Sequence, residues 1–244
     1  MPTDTEFKFA IQVEEKVAYL DLGRPEKANR LTRGMIADLG RTIRQLGERS
    51  DVNVIAIRSR GEAFCGGRDG QGETSVGLTP YQIRNQMMGP VLSVSEALVA
   101  VPIPVVACVH ADAIGFGAAL VGGCDVALAS ATAKFAFPEI EHNIAPTMAM
   151  SAVIRKLPPA VLSYLFYSGE RIGAVEALRS GLVGHIYPAE EFEQSCGAFL
   201  GKLSARPRPI LETIKKFQVG AVGMSAMQSF DYAGALLALV RQEK

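Results

Sequence analysis

Short apolar runs recur through the first half of the chain, at 17–22 (VAYLDL), 52–59 (VNVIAIRS), Val105–Val109 and 125–130 (DVALAS). Runs of this length, rich in Val, Ile and Ala, predict strands buried on both faces. Between them the spacing changes. Residues 33–47 place Met35, Ile36, Leu39, Ile43 and Leu46 on one helical face, and 81–100 predicts a long helix stopped by the prolines of VPIPVV. GFGAALVGG (115–123) reads as a short helix of small residues, and AFCGGRDGQGE (63–73) as a glycine-broken loop. After about residue 146 the pattern turns helical, at 146–156, 160–167, 173–180, 189–204, 207–219 and 223–241. One short strand, LVGHIY (182–187), interrupts it. Strands alternating with helices predict a parallel, right-handed α/β core. The chain divides into such a core over 1–188 and a helical region over 189–244, with no internal repeat.

Composition narrows the class. Lys plus Arg equals Asp plus Glu at 25 each, which speaks against a general nucleic-acid binder. Cys65, Cys108, Cys124 and Cys196 lie far apart, with no CxxC pair, and read as reduced, buried thiols. MPTDTEFKF carries no targeting pattern, and 111–124 is too short and glycine-rich to span a bilayer. The expectation is a soluble, cytoplasmic protein with no membrane partner. No spaced His/Cys/carboxylate cluster suggests a metal.

Chemistry concentrates in two glycine-rich loops. GFGAAL lacks the third glycine of a dinucleotide fingerprint, and no Gly-Lys-Ser/Thr occurs in the chain, so neither nucleotide loop is present. FCGGRD (64–69) and AIGFG (113–117) instead both leave the carboxyl ends of predicted parallel strands, where α/β proteins place ligands. Each loop offers a backbone N–H, the second at a helix start. Such a pair forms an oxyanion hole. No GxSxG elbow supports a serine hydrolase.

Over nearly its whole length the chain resembles the crotonase, or enoyl-CoA hydratase/isomerase, superfamily. The resemblance is carried by RPEKANRLT (24–32), GEAFCGGRD (61–69), VPIPVVACVHADAIGFGAALVGGCDVALAS (101–130), AKFAFPEIEHNIAP (133–146) and SGERIGAVEALRSGLVGHIYP (168–188). It implies a crotonase-like spiral of β-β-α units with a helical C-terminal trimerisation region, assembled as a homotrimer or a dimer of trimers. It also implies a coenzyme A thioester as substrate and no permanently bound cofactor. The oxyanion donors map to the N–H groups of Arg68 and Phe116, with Gly67, Gly115 and Gly117 letting the backbone approach. Relatives more often carry small residues at both donor positions. The Arg68 side chain is left with three roles: reaching a CoA phosphate, reaching an acyl carboxylate, or pairing with Asp69.

A hydratase of this family uses two glutamates. One maps to Glu139, in the Pro-Glu pair of FPEIEHN; the other maps to Ala119, which carries no carboxylate. A lone glutamate can move a proton between two carbons but is poorly equipped to add water. The reading therefore leans to double-bond isomerisation, with hydratase, thioester or β-diketone hydrolase, and a catalytically silent acyl-CoA binder as alternatives. His142 and Glu141 are candidates to assist Glu139. Lys27, Arg30, Lys215 and Lys216 are candidates for CoA phosphates, and Phe230 and Tyr232 for covering the ligand or a neighbouring subunit. Asp69, Asp112, His110 and His185 read as structural.

Overall fold

The structure is a computed structural model that describes residues 9–242. The segment MPTDTEFKF lies outside the described residues except for Phe9. Six strands form the larger sheet: β1 (Ala10–Glu14), β2 (Val17–Asp21), β3 (Val54–Arg58), β5 (Val105–Val109), β7 (Val126–Ser130) and β10 (His185–Tyr187), in the order β1-β2-β3-β5-β7-β10. All neighbours are parallel except β1 and β2, which form a hairpin. A smaller sheet runs β4-β6-β8-β9, from β4 (Ala63–Cys65), β6 (Asp112–Ile114), β8 (Lys134–Ala136) and β9 (Ile172–Gly173). Successive strands β3/β4, β5/β6 and β7/β8 each give one member to either sheet. The chain thus climbs as a spiral of paired strands.

Both faces of the larger sheet are buried, which explains the continuous apolar runs. Leu20, Ile57, Ala107 and Ala127 stand in register across four strands and face the main core. Their neighbours Val54, Val106 and Leu128 point the other way, against Phe192, Cys196, Leu200 and Leu211. The main-core face is covered by α1 (Arg33–Glu48), whose stripe Met35, Ile36, Leu39, Ile43 and Leu46 is buried throughout. Its first turn is capped by the Thr32 hydroxyl, which accepts from the Met35 N–H at 3.3 Å.

The predicted helix 81–100 is wound in three pieces. After α2 (Pro80–Gln82) the backbone widens to π over Ile83–Met88 and returns to α in α3 (Gly89–Ala100). The change falls just before Pro90, which has no N–H to donate to the preceding turn. Then follow α4 (Phe116–Gly123), α5 (Thr147–Val153), α6 (Pro159–Ser168) and α7 (Ala174–Ser180), and after β10 come α8 (Phe192–Ser204), α9 (Arg208–Gly220) and α10 (Ala226–Gln242). Among the described residues no helix is long and apolar enough to cross a membrane. The four cysteines are buried and unpaired.

The glycine-broken loop expected over 63–73 begins as strand β4. Three residues between turns are too few to show a period, and only pairing with β6 makes them a strand. β1, β6, β8 and β9 are likewise additions to the sequence reading.

Polar contacts lock the C-terminal helices to the core. The Asn53 amide donates to the Ser204 carbonyl at 2.8 Å. The Lys215 ammonium donates to Asp125 Oδ2 at 2.8 Å and to the Ile103 carbonyl at 3.1 Å. Asp125 Oδ2 also accepts from the Val105 N–H at 2.7 Å. Lys215, a phosphate candidate on sequence, is 4% exposed and committed to this pair. Truncating one partner of a buried pair leaves the other charge uncompensated. Lys215→Ala should cost about 3 kcal/mol of stability, read by urea unfolding; a loss within experimental error would show that the pair does not hold α9 in place.

Candidate active site

The loop after β4 is held by the turn after β2. Ala28 and Asn29 both adopt left-handed backbone, with φ of 49° and 52°. The buried Asn29 side chain fixes this turn: its Oδ1 accepts from the Arg24 N–H at 2.9 Å, and its Nδ2 donates to the Arg60 and Ala63 carbonyls at 2.8 Å each. The turn then grips the loop through three bonds: Gly66 N–H to the Ala28 carbonyl (2.8 Å), Leu31 N–H to that of Gly67 (3.1 Å), and Asp69 N–H to that of Leu31 (2.8 Å). Arg68 lies inside this ladder, yet its own N–H has no backbone acceptor among the described residues.

The second loop leaves β6. Gly115 has φ 54° and ψ −116°, a conformation open only to glycine, and its N–H donates to the Ala136 carbonyl at 2.8 Å. Phe116 then opens α4, so its N–H is one of the orphan donors of a first helical turn. A Cβ on Gly67 would lie 3.9 Å from the Phe116 nitrogen. The two loops therefore touch, and both donors line one cavity of about 540 Å³. This volume lies within the range of small-molecule sites.

The cavity walls are mostly apolar, with Met87, Val91 and Leu98 on one side and Phe116, Leu120 and Met148 among the rest. Phe116 is buried in the main core as well as lining the cavity. Ala119 also lines it, so the position without a carboxylate faces the site.

Glu139 sits in the 3-10 turn Pro138–His142 after β8. A Cβ on Gly115 would lie 3.1 Å from Glu139 Oε1, which places the carboxyl directly over the second loop. Its Oε2 is buried without a hydrogen-bond partner. Burial pushes the Glu139 carboxyl above its ordinary pKa, opposed by a backbone hydrogen bond and by His142. A desolvated carboxyl beside two unused N–H donors can exchange a proton next to a carbonyl whose oxygen those donors hold.

Other sequence candidates separate. His142 and Arg30 line the cavity; Lys27 and Glu141 are not among its lining residues. Glu141 turns instead toward Gly169, where a Cβ would lie 3.3 Å from its Oε1. Asp69 pairs with Arg24 at 3.2 Å, not with Arg68. Asp112 pairs with Arg171 at 3.1 Å and caps the Lys134 N–H. His110 Nε2 lies 2.9 Å from the Gly61 carbonyl oxygen, and His185 packs edge-on to Tyr187. Lys216 and the Phe217–Tyr232 stack lie at the α9–α10 hairpin, away from this cavity. Glu73 is the residue that the sequence reading missed: it lines the cavity and pairs with Arg68. Five residues along a glycine-rich loop, its direction has no periodicity to betray it. Among the described residues no group of three or more His, Cys, Asp or Glu is placed to hold a metal ion.

The paired-strand spiral with its two-loop site is of the crotonase class. The chain belongs to the enoyl-CoA hydratase/isomerase family, whose model matches residues 12–238. It is 29% identical over 201 residues to the mitochondrial enoyl-CoA hydratase domain-containing protein 3 of Rattus norvegicus, over 81% of this chain. It spans only 65% of that relative's length. It is 26% identical over 236 residues to (E)-benzylidenesuccinyl-CoA hydratase of Thauera aromatica, covering 95% of this chain and 90% of the relative. The crystal structure of an enoyl-CoA hydratase from Mycobacterium smegmatis superposes with a TM-score of 0.88 at 26% identity, over 95% of this chain and 90% of that one.

A raised carboxyl pKa in the folded state makes a stability contribution that is complete below the unfolded value. That contribution is lost as pH rises through the folded value. Glu139→Gln removes the ionisable group, so its melting temperature should exceed that of the wild type above the raised value. The gap should close as pH falls below about 4.3, the ordinary glutamate value. Thermal melts across pH read this, and a constant gap would mean that the buried carboxyl is not the cause.

Proposed function

We propose that the chain is an acyl-CoA-processing enzyme that shifts a double bond, with Glu139 as its single base. The observation that carries this reading is the position of Glu139 over Gly115, beside the N–H groups of Arg68 and Phe116, with alanine at 119. The two N–H groups hold the thioester oxygen. Glu139 removes a proton from Cα of a β,γ-unsaturated acyl thioester, the electron pair passing into a dienolate whose oxygen faces the donors. The same carboxyl returns the proton at Cγ, which leaves the α,β-unsaturated ester and the base as it began. A buried carboxyl suits both halves, because it holds the proton well enough to carry it and binds it loosely enough to release it. Arg30 has no ion-pair partner among the described residues and lines the cavity. It is the proposed contact for a CoA phosphate.

Hydration is the second reading, favoured by the names of the relatives and by a second cavity carboxylate in Glu73. Against it, Glu73 is already engaged by the Arg68 guanidinium.

A homotrimer or dimer of trimers is also proposed. Support comes from the outward apolar side chains of α9 and α10, with Ile214 59%, Met227 75%, Phe230 67% and Leu239 58% exposed, an apolar patch of the kind that marks an interface. Light scattering after size exclusion should give three or six chains; a monomer at micromolar concentration would refute it.

Glu139→Gln should lower turnover of a 3-enoyl-CoA by about 10²–10⁴-fold while leaving the dissociation constant within about threefold. Product analysis separates the two readings: conversion of a 3-enoyl-CoA to the 2-enoyl-CoA supports isomerisation, and conversion of a supplied 2-enoyl-CoA to a 3-hydroxyacyl-CoA supports hydration. Turnover that survives Glu139→Gln would remove the single-base mechanism.

A further inference from the structure

The loop that supplies the first N–H donor also carries a carboxylate. Arg68 turns its guanidinium along its own loop to Glu73, and both side chains line the cavity. They are 27% and 14% exposed, so the pair is largely out of water. Asp69, the nearer carboxylate, is taken by Arg24. Arg68 and Glu73 therefore have only each other as ionic partners among the described residues. Gly70 and Gly72 lie between them, and Gly72 takes φ +79°, which lets the loop double back.

An unpaired arginine at this place would be a receptor for an anionic acyl group, since a guanidinium binds a carboxylate through two parallel donors. Glu73 already occupies that seat. An incoming carboxylate would have to displace Glu73, whose own charge would then stand in a cavity with no partner. Specificity by such a penalty is common where the attractive contacts to both ligands are alike. The remaining ionisable groups on the wall do not reverse the bias. Glu139, when charged, adds to it. Arg30 is the contact proposed above for a CoA phosphate and packs its stem against Gly66 at the turn after β2, and His142 sits three residues beyond Glu139 on the same turn.

We propose that Glu73 is a specificity-determining residue: by holding Arg68 in an internal ion pair, it makes the cavity accept neutral acyl groups and reject those bearing a terminal carboxylate. The proposal rests on the acyl-CoA reading above and deepens it from a thioester to a class of acyl group.

The test is calorimetric binding of two saturated CoA esters of matched chain length, one plain and one carrying an ω-carboxylate. Wild type, Glu73→Gln, Arg68→Gln and the double variant are compared. Saturated esters avoid turnover. The wild type should bind the plain ester at least about tenfold more tightly, the range expected for one hydrogen-bonded charge. Glu73→Gln should shift that ratio toward the carboxylate ester by about tenfold or more, because Arg68 is then free to receive it. Arg68→Gln and the double variant should show no such shift, since the receptor is gone. An unchanged ratio in Glu73→Gln, or a wild type that prefers the carboxylate ester, overturns the proposal while leaving the acyl-CoA reading intact. If neither ester binds the wild type, the acyl-CoA reading fails and takes the proposal with it. The wild-type ratio needs no variant, so the proposal stays refutable even if Glu73→Gln does not fold.

Discussion

The site depends on how closely α4 approaches β4. A Cβ on Gly117 would stand 2.3 Å from the Cys65 carbonyl oxygen and 2.8 Å from the Cys65 Cβ. Glycine alone removes that collision, and only then can the start of a helix rest on the end of a neighbouring strand. Everything at the cavity inherits this contact. It brings Gly67 against the Ile114 carbonyl, sets the Phe116 N–H beside the loop carrying Arg68, and leaves Gly115 close enough to Glu139 for its carboxyl to lie over the backbone. The larger sheet can tolerate exchange among aliphatic residues of similar volume. This contact has no such latitude, because the nearest opposing atom is a backbone carbonyl oxygen.

The central strands β2, β3, β5 and β7 of the larger sheet were legible because burial on both faces writes itself as unbroken apolar runs. The stripe of α1 was legible because one-sided burial recurs at helical spacing. The smaller sheet was not, since β4, β6 and β8 have three residues each and are defined by pairing rather than pattern. The same division holds in the site. Glycine at 67, 115 and 117 signalled backbone approach, and the resemblance supplied Glu139 and the empty position at Ala119. The direction of a charged side chain has no such signature. Lys215 and Glu141 were candidates on sequence as much as Arg30 and His142, yet the first pair turn into the protein framework and the second pair line the cavity. Only the folded chain decides between them.

The Asn29 turn shows how a polar residue with no place in the proposed chemistry still determines it. Its side chain satisfies three backbone groups that would otherwise be stranded at the junction of β2 and β4. Burying such groups unpaired costs about 1–3 kcal/mol each. The turn in turn occupies the Gly66 N–H and the Gly67 carbonyl, so the ladder skips the Arg68 N–H. The Arg68 N–H stays available to a ligand because the bonds that grip the loop run through Gly66, Gly67 and Asp69 and pass it by. The donor proposed for the oxyanion is thus positioned by the bonds on either side of it.

The two cavity carboxylates are handled in opposite ways. Glu73 is held by Arg68, a partner on its own loop. Glu139 is left with a buried oxygen that nothing satisfies, and burial makes its protonated form easier to reach. One is paired and the other stranded within a space of about 540 Å³. In a site with alanine at 119, the proposed single-base role of Glu139 rests on that division.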